Sequence, residues 1–526
     1  MNTEEILKFC RENGLLLDSE ILKLFSETTD ADSIKMIIEK IKNYTPQRII
    51  TKEIFSQNKD LERIFLTLPN ENQKSLEKLK IKLGLSIEIS REKEEPQKIE
   101  IVLDRNQPET NARILSSIPS FTGKPEVGNF VKYYRSRFNE MRNLIQANPR
   151  LNGLVSINKL SGKKQGVSII GMVSSKATTK NGNIILDVED LTGRTKALIN
   201  SNKPELYKEA EDIALDSVIG LRGMGDDQII FVNDIIFPDS MLHERKRSDK
   251  EEYALFLGDL HFGSKLFREK SFNKFIDYIN GKLPDTPEVE KIKTIFLVGD
   301  IIAGIGNYPT QEKDLKIIDL EEQFSGFSEL IKKMRKDITF IISPGNHDGV
   351  RLMEPQPLFD EKYAWNLYDL KNVILTGNPA SVNIGSTKNF SGFDVLTYHG
   401  FSFYHYANTV PKLMTGGALN APEKIMAYLL KNRHLAPTHS SVQYFPFNED
   451  YLLIKKIPDI FVSGHTHKSA VSYYNNVLMI STATWESMTV YQEKMGNKPD
   501  YCKVPMMNLK TREIKILDFE EKEDEK

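Results

Sequence analysis

Residues 253–264 read YALFLGDLHFGS, a short apolar run that ends at Gly258 and is followed by Asp259 and His261. The run Ala254–Leu257 predicts a buried β-strand, and open α/β sheets place their ligands just beyond the carboxyl ends of such strands. A carboxylate and an imidazole two residues apart suit the chelation of one cation. Taken alone the pattern is common, and a structural role for both residues is then the better interpretation.

Four further apolar runs end in a polar turn of the same kind: TIFLVGDII at 294–302, ITFIISPGNHDGV at 338–350, FDVLTYHGFSF at 393–403 and PDIFVSGHTH at 458–467. These turns supply the additional ligand-type side chains Asp300, Asn346, His347, Asp348, His399, His465 and His467. Five of the nine histidines therefore lie at predicted strand ends, a placement that chance explains poorly. The pattern predicts a site for two divalent cations, and its oxygen and imidazole ligands favour Mn²⁺, Fe or Zn²⁺.

The series GDLH, GD, GNHD, YHG and GHTH resembles, in order and spacing, the calcineurin-like metallophosphoesterases. The resemblance implies an α/β sandwich of two sheets flanked by helices, with two metal ions held by the loops at the strand ends. It implies that the first metal is bound by Asp259, His261 and His467, that Asp300 bridges both metals, and that the second is bound by Asn346, His399 and His465. It further implies that His347 contacts the phosphate oxygens or the leaving group and that Asp348 orients His347.

Longer segments narrow the resemblance. GDLHFGSKLF, GDIIAGIGNYPTQE, SPGNHDGVRLMEPQP and KNRHLAP, together with a strand-rich region before them, are similar to the small subunits of archaeal family D DNA polymerases. This similarity implies a 3′–5′ exonuclease that proofreads DNA ends in complex with a large polymerising subunit. The chain departs from the family pattern at Ala303 and in FSFYHY after Gly400, where acidic residues are expected. A catalytically silent scaffold subunit and a stand-alone phosphodiesterase acting on small nucleotides are the alternatives.

Length and charge set the outer bounds. The 526 residues carry 71 Lys and Arg against 73 Asp and Glu, so the chain requires several domains and is not built to coat nucleic acid by bulk charge. Its two cysteines, Cys10 and Cys502, exclude a disulfide framework and a thiolate zinc module. No secretory signal and no apolar run long enough to cross a membrane is visible, so a cytoplasmic location is expected.

Changes in pattern along the chain predict a multidomain α/β (α+β) protein. Helical spacing predicts an interaction module over 1–75, whose partner is left open between the large subunit, a sliding clamp and another protein. The remaining divisions are a linker at 76–126 in which KIEIVLD (98–104) could form a strand, a connecting helix at 127–151, an OB-type β-barrel at 152–240, the phosphoesterase domain at 250–517 and an acidic tail at 518–526. The connecting helix carries aromatic residues and arginines that either pack on a neighbouring domain or contact nucleic acid, and the barrel either binds single-stranded DNA or serves as a protein platform.

Overall fold

The computed structural model describes residues 3–28, 34–35, 38, 49–50, 112–116, 118–119, 125–494, 496 and 498–521. The segment 98–104, most of the predicted linker and the end of the acidic tail lie outside these residues. The chain divides into two compact units, Met1–Asn106 with Glu361–Trp365, and Gln107–Asp360 with Asn366–Lys526. The α-helices are Thr3–Glu12, Ser19–Thr28, Val127–Ile145, Pro204–Glu211, Glu269–Ile279, Leu320–Lys332, Glu361–Tyr368, Phe403–Thr409, Pro411–Thr415, Pro422–Asn432 and Val490–Lys494.

In the amino-terminal unit the structure describes two helices, Thr3–Glu12 and Ser19–Thr28, while most of the rest of the predicted module at 1–75 lies outside the described residues. Ile6 and Cys10 are buried on the first helix, and Ile21 and Phe25 are buried on the second. Each pair is spaced four residues apart, so each helix turns one apolar face inward, as the helical spacing of the sequence predicts. Two very short strands, β1 (Leu16–Leu17) and β2 (Ile49–Ile50), pair in parallel in the same unit.

A closed five-stranded barrel follows the connecting helix. In the order β4-β5-β6-β8-β7, its strands are β4 (Gln165–Thr178), β5 (Ile184–Glu189), β6 (Arg194–Ile199), β8 (Ile229–Ile236) and β7 (Val218–Gly225). Along β5 every second side chain is buried, which is the period that a half-buried strand requires. Closure leaves no unpaired strand edge, and the predicted barrel is confirmed.

The carboxy-terminal region is a sandwich of two six-stranded sheets. The first sheet runs β12 (Val373–Leu375), β11 (Thr339–Ser343), β10 (Ile292–Val298), β9 (Tyr253–Leu257), β18 (Lys503–Asn508) and β19 (Ile514–Asp518). The second runs β16 (Ala470–Tyr474), β17 (Val477–Ser481), β15 (Ile460–Ser463), β14 (Phe393–Thr397), β13 (Ala380–Ile384) and β3 (Ala112–Ser116). Strands β9 to β12 are mutually parallel, as are β14, β15 and β17, and the predicted mixed α/β class is confirmed.

The two sheets share one apolar core. Side chains such as Phe256, Phe296 and Ile341 from the first sheet meet Val395 and Ile460 from the second. Parallel strands covered on both faces read as continuous apolar runs, which is why the sequence around each of them is so distinctive. No helix in the described part of the chain is both long enough and apolar enough to cross a membrane.

Two boundaries differ from those predicted. Residues Ala112–Ser116, assigned to the linker, form β3 and pair with β13 at the edge of the second sheet. Short edge strands depend on a distant partner, which the local residues do not reveal. At the other end Asp518 closes β19, and Phe519 is buried with its ring 5.3 Å from that of Phe275. The described start of the predicted tail, 518–521, is therefore attached to the sandwich through Phe519, because an aromatic ring among acids still gains by burial.

Candidate metal centre

The five strands that the sequence singled out end at one place in the fold. β9, β10 and β11 of the first sheet and β14 and β15 of the second deliver their polar turns to the same edge of the sandwich. Ligand atoms lie within 4.8 Å of one another in three groups, which are Asp259, His261 and His467; His261, Asp300 and His347; and Asp300, His399 and His465. Asn346 joins them through its Oδ1, 3.1 Å from Nε2 of His399. All seven predicted metal ligands are thus brought together.

The backbone is left-handed at most of these ligands. The φ angles are +51° at Asp259, +51° at His261, +50° at Asp300, +67° at His465 and +56° at His467. Positive φ is uncommon for residues other than glycine, and such residues concentrate at functional sites where the surrounding structure holds them. Here the amide of Asp259 donates to the carbonyl of Gly299 and that of His261 to the carbonyl of Asp300, both at 3.0 Å, so adjacent strand ends hold each other.

Asp300 stands between the two halves of the cluster. Its Oδ2 lies 3.2 Å from Nε2 of His399 and 3.9 Å from Nε2 of His261. Nε2 of His261 is also 3.2 Å from Nε2 of His467. Nε2 of His467 is in turn 3.5 Å from Oδ1 of Asp259. Asp259, His261 and His467 converge on one point, and Asp300, His399 and His465 converge on a second. The Asp300 carboxylate also faces His261 of the first set, so the arrangement matches a pair of adjacent cation sites that share one carboxylate.

Burial sets the protonation of the cluster. It lowers the pKa of His261 and of His465 well below the ordinary value, so both imidazoles are neutral, the form that binds metal. Burial would also lower the pKa of His399, but the Asp300 carboxylate raises it to about 10. Burial raises the pKa of Asp300, yet the imidazoles of His399 and His347 hold it well below its usual range. The Asp300–His399 ion pair must therefore release a proton when cations enter.

A glycine shows how closely the ligands are packed. A Cβ placed on Gly345, in the turn after β11, would lie 2.3 Å from Oδ1 of Asp300 and 2.8 Å from Nε2 of His399. The space beside both ligand atoms is thus kept clear by the absence of a side chain. The neutral imidazoles, the buried carboxylates and this clearance fit a pair of hard or borderline divalent cations.

Other polar residues hold the ligands in place. The amide of His399 donates to Oδ1 of Asn378 at 2.9 Å, Thr482 Oγ1 lies 3.4 Å from Asp259 Oδ2, and Gln492 Nε2 is 2.9 Å from Nδ1 of His467. The buried carboxyl of Glu486 lies beside the same half of the cluster, and burial raises its pKa. Sequence reasoning missed all four, because each is a single polar residue whose role depends on long-range packing.

His347 and Asp348 are both in the site, but their expected relationship is wrong. The His347 ring lies 4.7 Å from that of His261 and perpendicular to it, and its Nδ1 is 2.8 Å from the carbonyl of Ala303. The Asp348 carboxylate instead accepts from the amides of Ile302 at 3.0 Å and Gly345 at 2.7 Å. The Asp348 carboxylate therefore connects the loop after β10 to the loop after β11. Burial and the charge of Asp300 raise its pKa to about 7.

The structure is therefore a two-sheet α/β sandwich that gathers imidazoles and carboxylates at the ends of five strands. A family model that describes the B subunits of DNA polymerases alpha and epsilon matches residues 254–472. The chain is 31% identical over 521 residues to the DNA polymerase II small subunit of Methanothermobacter thermautotrophicus, an alignment that covers 98% of this chain and 99% of the relative. The chain belongs to the family of DNA polymerase II small subunits.

Other relatives of the same name are longer. The chain is 34% identical over 407 residues to the protein of Pyrococcus furiosus and 36% identical over 391 residues to that of Methanocaldococcus jannaschii. The alignments cover 76% and 73% of this chain, and in both cases 64% of the relative. Among solved structures, an archaeal phosphodiesterase is similar with a TM-score of 0.26 and 14% identity, covering 50% of this chain and 98% of that one.

Proposed function

We propose that this chain is a 3′–5′ exonuclease subunit of a replicative DNA polymerase, which removes mismatched nucleotides from primer ends while bound to a large polymerising subunit. One observation carries the proposal: all seven candidate ligands converge in one cluster, with Asp300 shared between two groups. A subunit retained only as a scaffold has no need of buried imidazoles set against buried carboxylates. Membership of the small-subunit family supports the polymerase as partner and a DNA 3′ end as substrate.

We assign each residue of the cluster a role according to its position. Asp259, His261 and His467 would hold one cation, Asn346, His399 and His465 the other, and Asp300 both. When bound, two divalent cations, Mn²⁺ foremost, would neutralise charge on the phosphoryl oxygens and activate a water for in-line attack. His347, at the rim of the cluster and part-buried, is placed to contact a phosphate oxygen or the leaving 3′ oxygen.

The test is shortening of a 5′-labelled primer that carries a 3′ mismatch, with Mn²⁺ and the purified chain. We expect Asp300→Ala and His347→Ala to lower the rate by at least ~10²-fold, as expected when charge stabilisation or acid–base catalysis is lost. Asp227→Ala and His243→Ala, at exposed positions, are the matched controls and should retain full activity.

Three results would count against the proposal. Equal shortening by wild type and Asp300→Ala would assign the activity to a contaminant. Lack of shortening by wild type, both alone and with the large subunit, would favour the scaffold. Cleavage of cyclic dinucleotides without cleavage of DNA would favour the stand-alone phosphodiesterase.

A further inference from the structure

A small polar network lies on the far side of His347 from the metal ligands. Its centre is the carbonyl oxygen of Ala303, which is 2.8 Å from Nδ1 of His347, 2.8 Å from Nε2 of Gln311 and 3.1 Å from Nδ2 of Asn307. The amide nitrogen of Asn307 donates back to Oε1 of Gln311 at 2.9 Å. Gln311 is only 3% exposed, so both ends of its side chain are used inside the protein.

The network dictates which nitrogen of His347 carries the proton. A carbonyl oxygen can only accept hydrogen bonds, so Nδ1 at 2.8 Å from Ala303 must be the protonated nitrogen. With Nδ1 bonded to the protein, Nε2 is the nitrogen left to meet a substrate. The second Nδ1 neighbour, Nδ2 of Asn307 at 3.2 Å, is a donor and cannot supply the acceptor that Nδ1–H needs.

The loop that carries the carbonyl is itself fixed. Gln323, fully buried, accepts from the amide of Gly304 at 2.9 Å and donates to the carbonyls of Gly304 at 3.2 Å and Ile317 at 2.8 Å. A Cβ on Gly304, whose φ is +67°, would lie 2.1 Å from the carbonyl oxygen of His347. The loop therefore lies directly against the backbone of the residue whose ring it orients.

We propose that Gln311, assisted by Asn307, is a positioning residue that holds the Ala303 carbonyl in place, so that the His347 ring is anchored through Nδ1–H and Nε2 is left to face the substrate. The role rests on the proposed exonuclease function. The contact is available with alanine at position 303, because the group that anchors the ring belongs to the backbone.

The first test does not depend on activity. In the full chain, ¹⁵N-labelled on histidine and free of metal, the His347 signals are identified by their loss in His347→Gln. Wild type should show an Nδ1–H signal that is hydrogen-bonded and exchanges slowly with solvent, whereas in Gln311→Met this signal should be weakened by faster exchange. Asn307→Ala, at an exposed position, should show a smaller change in the same direction. Unchanged signals in both variants would overturn the proposal, whether or not the chain proves to be a nuclease.

The second test uses primer shortening by the holoenzyme. Loss of a residue that orients a site histidine through hydrogen bonds typically lowers activity by about 10–100-fold. We therefore expect Gln311→Met to lower kcat about 10-fold with little change in KM. The same substitution in a His347→Ala background should have no further effect, because the network acts through that ring. If Gln311→Met lowered kcat by the same factor in the His347→Ala background as in the wild type, Gln311 would have only a structural role. Asn432→Ala, which removes a buried amide far from the site, is the control and should alter neither readout.

Discussion

Arg137, on the connecting helix Val127–Ile145, joins three parts of the chain. Its side chain is 1% exposed, with Nε 2.7 Å from Oδ2 of Asp450 and Nη1 2.6 Å from the carbonyl of Pro437. Nη1 also lies 3.3 Å from the carbonyl of Asp216, next to the barrel, and the guanidinium is 5.1 Å from the ring centre of Tyr444. Arg137 is therefore a buried residue that connects these parts of the chain. At this position the helix packs on its neighbours, as one of the two interpretations predicted.

The cost of removing Arg137 follows from its burial. Breaking a buried ion pair typically costs 3–5 kcal/mol, because the remaining charge has lost its partner. His434 moderates the loss, since its Nε2 is 2.8 Å from the same Asp450 oxygen. Burial and the charge of Arg137 lower the pKa of His434 to about 4, and without Arg137 it can protonate and pair with Asp450. We therefore expect Arg137→Met to lower the free energy of unfolding by about 3 kcal/mol, at the lower end of that range.

The assay is equilibrium unfolding in urea, followed by tryptophan fluorescence and by circular dichroism. The matched control is Arg150→Met, because Arg150 also pairs with an aspartate, Asp234, but its side chain is 53% exposed. An exposed pair contributes about 0–1 kcal/mol, so this control should unfold close to wild type. If Arg137→Met unfolded within about 1 kcal/mol of the control, the reasoning from burial would be refuted. A loss of DNA affinity with unchanged stability would favour the nucleic-acid interpretation of the helix.

Two further predictions concern the surroundings of the metal centre. Gly345→Ala, whose Cβ would lie 2.3 Å from Asp300 Oδ1, should abolish the rise in Tm that Mn²⁺ gives the wild type; an equal rise would show that the turn can yield. Burial raises the pKa of Glu354 from 4.5 to about 8, so between these values the folded chain retains a proton that the unfolded chain releases, and stability falls as pH rises. Glu354→Gln should flatten that slope in urea midpoints at pH 5 and pH 8, and an unaltered slope would contradict the assignment.

Much of the candidate metal centre could be predicted because parallel strands that are buried on both faces appear in the sequence as continuous apolar runs. Each apolar run ended at the residue where the structure ends its strand, or within two of it, as at Leu257 and Val298. Carboxyl ends of parallel strands share one edge of a sheet, so polar residues just past them had to meet. The rule places Asp300 beside the polar residues of the first sheet and His399 beside those of the second, whereas the meeting of the two groups depends on how the sheets pack.

What the sequence could not predict depended on side-chain direction and distant pairing. Asp348 follows His347 directly, yet its carboxylate turns toward the amides of Ile302 and Gly345, a choice set by turn geometry. Asn378 reaches the backbone of His399 only because β13 and β14 are neighbours. The strand β3 was lost in the linker for the same reason, since nothing in five residues reveals a partner that lies more than 260 positions away.

That small strand changes how the molecule can be divided. Because β3 precedes the connecting helix and the barrel in sequence but completes the second sheet of the sandwich, the barrel is an insertion within the sandwich. A fragment cut at residue 250 would retain every predicted metal ligand yet expose the backbone of β13 as a raw sheet edge, open to pairing between copies. Any fragment meant to keep the sandwich intact must therefore begin before Ala112 and include the barrel.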